Sequence, residues 1–125
     1  MIRASCHCGA VVIEADRRPR SVTSCNCSIC RRLGALWAYY TRKTARIVSG
    51  ADSVSAYIWG DKMIAFHRCR TCGCCTHYED VEKGADGRFA INGRCFAPED
   101  LAPITVRHFD GADTWKFLER PRPRR

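Results

Sequence analysis

Apolar positions in this chain come in short bursts rich in β-branched and aromatic residues, each closed by a turn signal. That pattern predicts strands rather than helices. The predicted strands are AVVIEA (10–15), SVTS (21–24), LWAYYT (36–41), ARIVS (45–49), VSAYIW (54–59), KMIAFHR (62–68), RFAING (88–93) and TVRHF (105–109). Between them lie RRPR, SGAD, WGDK, KGADG and DGAD, all sequences that favour turns. Helix is predicted only over 28–33 and at PEDL (98–101). The expected class is mainly β, in one domain over residues 1–119. The ending RPRPRR gives a basic tail over 120–125 that lacks any core-forming pattern and is expected to be disordered.

Composition narrows the setting. The chain has 125 residues, 46% of them hydrophobic and 27% charged, which suits one globular domain with a real core. No apolar run is long enough to span a membrane, so no membrane partner is expected. The start, MIRASCHCGAVV, lacks the basic and apolar regions of a secretory signal. Ten cysteines without an export signal point to a reducing compartment, and a cytoplasmic location is expected. There, clustered cysteines read as metal ligands or redox groups before disulfides. The formal charge of +8 is offset in part if the cysteines are metal-bound thiolates, and four arginines of the surplus sit in the tail. Charge alone therefore does not make the domain a nucleic-acid binder. Nothing in the pattern specifies an oligomeric state.

The cysteine spacing carries the chemistry. Cys6-His7-Cys8-Gly9 and Cys69-Arg70-Thr71-Cys72-Gly73 each set two thiols directly before a glycine. A chain wrapping a metal must turn sharply and aim backbone N–H groups at sulfur, which positive φ at glycine permits. Two such knuckles, each expected to open a strand, supply the four thiolates of a closed structural zinc site. Cys25, Cys27 and Cys30 then remain as C-x-C-x-x-C. Three protein ligands with one position open is the pattern of a catalytic zinc. The alternative is a closed second site with a fourth ligand from Cys74, Cys75, Cys95, His67 or His77. Two zinc ions per chain are expected; a thiolate shell excludes magnesium and calcium better than it excludes Cu(I) or iron.

CHCG, CNCSICRRLG and CRTCG, in this order and spacing, resemble the glutathione-dependent formaldehyde-activating enzyme family, which includes the centromere protein V domain. INGRCFAPEDL and HFDGADTW are similar to that family's closing segments, so the resemblance covers nearly the whole chain. It implies a zinc-binding β-tent fold with Cys6, Cys8, Cys69 and Cys72 on a structural ion and Cys25, Cys27 and Cys30 on the ion of the active site. The implied reaction is that of a carbon–sulfur lyase: reversible condensation of formaldehyde with glutathione to S-hydroxymethylglutathione. The chain departs from the commonest family pattern where His67 and Arg68 intervene between Phe66 and Cys69. Cys74, Cys75 and His77 add further possible ligands after the second knuckle.

Elementary chemistry is compatible with that reaction. A free thiol, with a pKa near 8.5, is mostly protonated at neutral pH, and zinc stabilises the thiolate. Three thiolates on a divalent ion leave a net negative centre, so Lewis acidity is modest and proximity matters as much. Glutathione carries two carboxylates. Arg31 and Arg32, directly after Cys30, are candidates to bind it, against the alternative of solvated surface arginines. Arg94 is a further cation near Asn92 and Cys95. Trp37, Tyr39, Tyr40 and Trp59 read as core aromatics before pocket walls, and His67 and His77 as hydrogen-bonded structural histidines before ligands. Cys95 reads as buried and unreactive. Adjacent Cys74 and Cys75 must face opposite sides of a strand. The competing reading is a non-catalytic zinc-stabilised binding module with two structural ions, and a weaker one is redox or metal sensing by the surplus cysteines. Deleting residues 120–125 should leave Tm and any activity on a small thiol unchanged; a large loss of rate in the truncated protein would show that the tail is part of the working domain.

Overall fold

The computed structural model describes residues 1–82 and 84–120. Residues 121–125, most of the expected tail, lie outside the described residues, and Arg120 is exposed. The first half of the chain forms β1 (Ile2–Ser5), β2 (Val12–Ala15), β3 (Ser21–Cys25), α1 (Ser28–Leu33), β4 (Trp37–Thr41), β5 (Ala45–Ser49) and β6 (Val54–Ile58). Then come β7 (Ile64–Cys69), β8 (Cys75–Asp80), β9 (Arg88–Asn92), a 3₁₀ turn (Gly93–Cys95), α2 (Pro98–Leu101), β10 (Thr105–Phe109) and β11 (Phe117–Leu118). The protein is mainly β, as its pattern predicts. No helix among the described residues is long and apolar enough to cross a membrane.

Two sheets are built. The smaller has the order β1-β2-β5, and the larger β11-β10-β3-β4-β9-β8-β7-β6. Every pairing between strands is antiparallel except β3 with β10, which run parallel with Cys25 opposite Phe109. The larger sheet is buried on both faces near its centre, and side-chain alternation shows how. In β4, Ala38 and Tyr40 join a core with Ala4, Val11 and Ile13 of the β1-β2 region, while Trp37 joins a second core. In β9, Phe89 and Ile91 go to the first core and Ala90 to the second. Cys30 of α1 packs in that second core, with Trp37, Phe66 and Tyr78. The helix carrying the third cysteine of CNCSIC is therefore seated on an aromatic platform.

Three strands are absent from the pattern-based expectation. In β1 (IRAS), Arg3 interrupts the apolar signal and pairs with Glu14 across the ladder. β11 has only two residues. β8 (CTHYED) looks polar, yet Thr76, His77 and Tyr78 are buried. Its polar atoms are satisfied within the sheet: Thr76 Oγ1 and His77 Nδ1 are 2.9 Å apart, and the His77 ring stacks between His67 and Phe89. The knuckles also differ in place from the expectation. Cys6 follows β1, and Cys69 is the last residue of β7, so each knuckle links two antiparallel strands rather than opening one.

Ile91 is fully buried where β9 runs between β4 and β8 in the larger sheet. Ile91→Ala should cost about 3–4 kcal/mol through lost burial and an unfilled cavity. In a thermal melt, Val48→Ala at an exposed position of β5 should shift Tm far less; equal shifts would contradict this account of the core.

Candidate functional site

The first cysteine group is made by two turns of nearly identical hydrogen bonding. At one, Cys6 N–H donates to Val11 O and Gly9 N–H to Cys6 O. At the other, Cys69 N–H donates to Cys74 O and Gly73 N–H to Cys69 O. Gly9 and Gly73 take positive φ of 82° and 78°, the conformation the sequence requires of them. The sulfurs of Cys6, Cys8, Cys69 and Cys72 all lie within 4.8 Å of one another. Cys6 and Cys8 are separated by 3.7 Å and Cys8 and Cys69 by 3.6 Å. A tetrahedron with metal–sulfur bonds of about 2.3 Å has edges of about 3.8 Å, so the spacing suits a four-coordinate thiophilic ion. Backbone N–H groups also aim at sulfur. Val11 N–H donates to Cys6 Sγ at 3.3 Å. Those of Cys74 and Cys8 hold the Cys72 thiol down to about 5, and those of Cys72 and Thr71 help to lower Cys69. The group can hold a metal ion.

Cys25, Cys27 and Cys30 form the second group. β3 ends on Cys25, and α1 starts at once, with Cys27 as its N-cap and Gly34 closing it in the left-handed conformation. That tight strand-to-helix junction turns three sulfurs to one point. Cys27 N–H donates to Cys25 Sγ and Cys30 N–H to Cys27 Sγ, both at 3.5 Å. The buried Trp37 indole donates from Nε1 to Cys30 Sγ at 3.4 Å. The Cys30 side chain lowers Cys25 to about 6, and the same pair raises Cys30, so Cys25 gives up its proton first. Among the described residues, no fourth His, Cys, Asp or Glu joins this group. None of the suggested fourth ligands joins the three sulfurs. Cys74 and Cys75 pack against opposite cores, as strand alternation demands. Burial pushes Cys75 up to about 11 and Cys95 up to about 12, and Cys95 Sγ lies 3.5 Å from Cys75 O.

Residues outside the expected set complete this second site. The parallel pairing of β3 with β10 lays residues 110–115 across CNCSIC. Asn26, between two cysteines, donates from Nδ2 to the fully buried Asp110 Oδ1 at 2.9 Å, and its Oδ1 accepts Ala112 N–H at 3.0 Å. Asp110 Oδ2 accepts from both the N–H and hydroxyl of Thr114. Gly111 lies so close that an added Cβ would stand 2.8 Å from Cys25 Sγ. HFDGADTW thus clasps the cysteine loop. The signal in the sequence was Asn between the cysteines and Asp-Gly in the closing segment; only the pairing of distant strands connects them.

Tyr39 flanks the same region. Burial raises its hydroxyl above the ordinary tyrosine range, and that hydroxyl interacts with Thr23, Tyr78 and the Cys25 charge. Tyr78 packs edge-on to Trp37, with centroids 4.8 Å apart. Trp37 and Tyr40 are core residues, while Trp59 is exposed. Arg31 and Arg32 are exposed on α1, where Arg32 Nη1 donates to Ser28 O at 2.8 Å. Arg94 Nε donates to Gly34 O at 2.8 Å and so tethers the end of the helix.

His67, His77 and Glu79 form a third cluster of potential ligands. Their geometry favours a polar network. The two imidazoles stack with centroids 4.4 Å apart and planes within 4°. An ion shared by parallel rings lies well out of both ring planes, away from the in-plane lone pairs. Glu79 accepts from Arg42 at 2.9 Å and meets His77 Nε2 at 3.3 Å. The hydrogen bond from His77, with Arg42 alongside, holds Glu79 down to about 2, while burial pushes His67 down to about 4. The reading of a hydrogen-bonded structural histidine fits His77, whose two ring nitrogens meet Thr76 and Glu79, whereas His67 Nδ1 is buried without a hydrogen-bond partner among the described residues.

The model of the family described as glutathione-dependent formaldehyde-activating enzyme matches residues 1–109. The chain belongs to that family. A crystal structure of a Rhodobacter sphaeroides protein, determined as a structural-genomics target, is also similar to this family member: it is 31% identical, covers 84% of this chain and 99% of its own, and superposes with a TM-score of 0.69. Both cysteine groups lie within the matched span, whereas the clasp over residues 110–115 lies beyond it. A metal ion held by these distant knuckles would couple its binding to folding, so Cys69→Ser should lower Tm by roughly 20 °C or more, or prevent soluble expression. An unchanged melt would remove the structural role from this group.

Proposed function

We propose that this protein is a zinc-dependent carbon–sulfur lyase that interconverts glutathione and formaldehyde with S-hydroxymethylglutathione. One observation carries the reading: Cys25, Cys27 and Cys30 converge without a fourth protein ligand among the described residues, in a chain of the formaldehyde-activating family. The donors suit the metal. Three thiolates select a thiophilic ion, and three protein ligands leave a coordination position for substrate. Cys25, Cys27 and Cys30 would hold the active-site zinc, and Cys6, Cys8, Cys69 and Cys72 the structural one. When bound, zinc keeps a substrate thiol in its nucleophilic thiolate form at neutral pH.

The chain's own groups then position and protect the reaction. Trp37 Nε1–H and the N–H groups of Cys27 and Cys30 fix the three sulfurs, so their lone pairs keep one orientation. The Asp110 clasp restrains the loop between Cys25 and Cys27. The glutathione sulfur attacks the formaldehyde carbon, the C=O π pair moves onto oxygen, and that oxygen takes a proton to give the hydroxymethyl thioether. Tyr39, within electrostatic reach of Cys25, would donate its O–H to the developing oxygen and regain the proton that the thiol gave up on becoming a thiolate, so no net proton is taken up or released. Exposed Arg31 and Arg32 draw the anionic tripeptide toward the site by charge.

The three cysteines span a short loop, so losing their ion frees little chain. Cys30→Ser should reduce metal content from about two ions per chain to about one and shift Tm modestly, since only the closed site ties distant segments together. Exchange spectroscopy of formaldehyde with glutathione should show acceleration by the intact protein and at least ~10-fold less by the variant. If neither accelerates exchange, the formaldehyde reaction is excluded; if both do so equally, the second ion is not the reactive centre.

A further inference from the structure

A cleft of about 490 Å³, within the size range of small-molecule sites, shares Ile64 and Tyr78 with the core in which Cys30 packs. Tyr39 and Tyr78 form part of its lining, together with Arg17, Asp80 and Arg88. Arg88 projects from β9 over the Tyr39 ring, its guanidinium carbon 4.5 Å from the centroid, and Nη1 donates to the Tyr78 hydroxyl at 3.4 Å. Among the described residues, Arg88 forms no ion pair. A guanidinium fixed over one ring and against one hydroxyl, with donors to spare, is preorganised for a planar carboxylate. Of the cleft's anions, Asp80 acts on Arg88 by charge without forming an ion pair with it. Asp86 pairs with Lys43 at 2.8 Å, and Asp80 Oδ1 accepts Glu82 N–H.

A chain of side-chain contacts links the sulfurs to this cation. Trp37 touches Cys30 Sγ at 3.4 Å, Tyr78 packs on Trp37, and Arg88 reaches Tyr78. In an extended peptide, about two residues of chain span ~7 Å, which is the scale of the separation between a cysteinyl sulfur and the carboxylate of the residue after it. We propose that Arg88, held over the Tyr39 ring and against the Tyr78 hydroxyl, forms the subsite that receives the carboxylate one residue beyond the thiol-bearing residue of a peptide substrate. It rests on the thiol-binding reading above, and it distinguishes the site from one open to any small thiol. Arg31 and Arg32 act outside it: they line neither this cleft nor the neighbouring one of about 430 Å³.

Binding of glutathione and of its glycyl monoethyl ester to the zinc-loaded protein, without formaldehyde, tests the subsite. Calorimetry should show the intact protein binding the acid roughly 10-fold more tightly than the ester, as expected for one charge-assisted hydrogen-bonded contact. Arg88→Met should bring the ratio close to one, and Arg88→Lys should restore part of it. A preference that persists in Arg88→Met, a ratio near one in the intact protein, or no binding of either thiol would overturn the proposal. A charge preference that depends on Arg88 in a protein that does not accelerate formaldehyde exchange would uphold the subsite and exclude only the reaction.

Discussion

Four cysteine sulfurs brought within 4.8 Å of one another are the constraint on which the rest of this architecture depends. As thiolates they repel strongly at that distance, and as thiols they leave little to hold two turns together. A cation resolves the conflict. It would join the turn after β1 to the turn after β7, at the margin of the core shared by the two sheets, where Cys6 and Cys69 are themselves buried. Both turns point backbone N–H groups inward through the same hydrogen-bond pattern, although one has a single residue between its cysteines and the other two. The extra residue is absorbed before the glycine, so the geometry around sulfur is conserved where it matters.

The two faces of the larger sheet divide the labour. One face packs against the smaller sheet and supplies most of the apolar core. The other carries Trp37, Phe66 and Tyr78, on which the Cys30 helix rests. A single strand, β4, serves both: Ala38 and Tyr40 belong to the first, and Trp37 links the second to sulfur through its indole N–H. In the same sheet, His67 of β7 stacks on His77 of β8, and His77 meets Glu79, which in turn pairs with Arg42.

Much of this was legible beforehand. Short β-branched runs located most strands, the 28–33 and 98–101 helices appeared where expected, and paired cysteines before glycine marked the first group. What escaped has physical reasons. β8 is buried through polar residues that satisfy one another, a property invisible to a hydropathy pattern. The clasp on CNCSIC depends on Asn26 meeting Asp110, and nothing local in either segment announces the other. Trp37 was read as core, correctly, but its contact with Cys30 follows only from the placement of α1 against β4. Arg31 and Arg32 drew notice by adjacency, while Arg88 lies on a distant strand and reaches the cleft through the fold.

The parallel ladder of β3 with β10 also sets the tempo of assembly. Its two strands are separated by most of the chain, as the 84-residue separation of Asn26 and Asp110 shows. Closing so long a loop incurs its entropic cost before any contact compensates it, which makes such topologies slow to form. Local hairpins such as β6-β7 and β7-β8 require no such closure. During synthesis, the cysteines of CNCSIC leave the ribosome well before the segment that clasps them. The emerging chain therefore presents three clustered thiols before the segment that packs over them has been made.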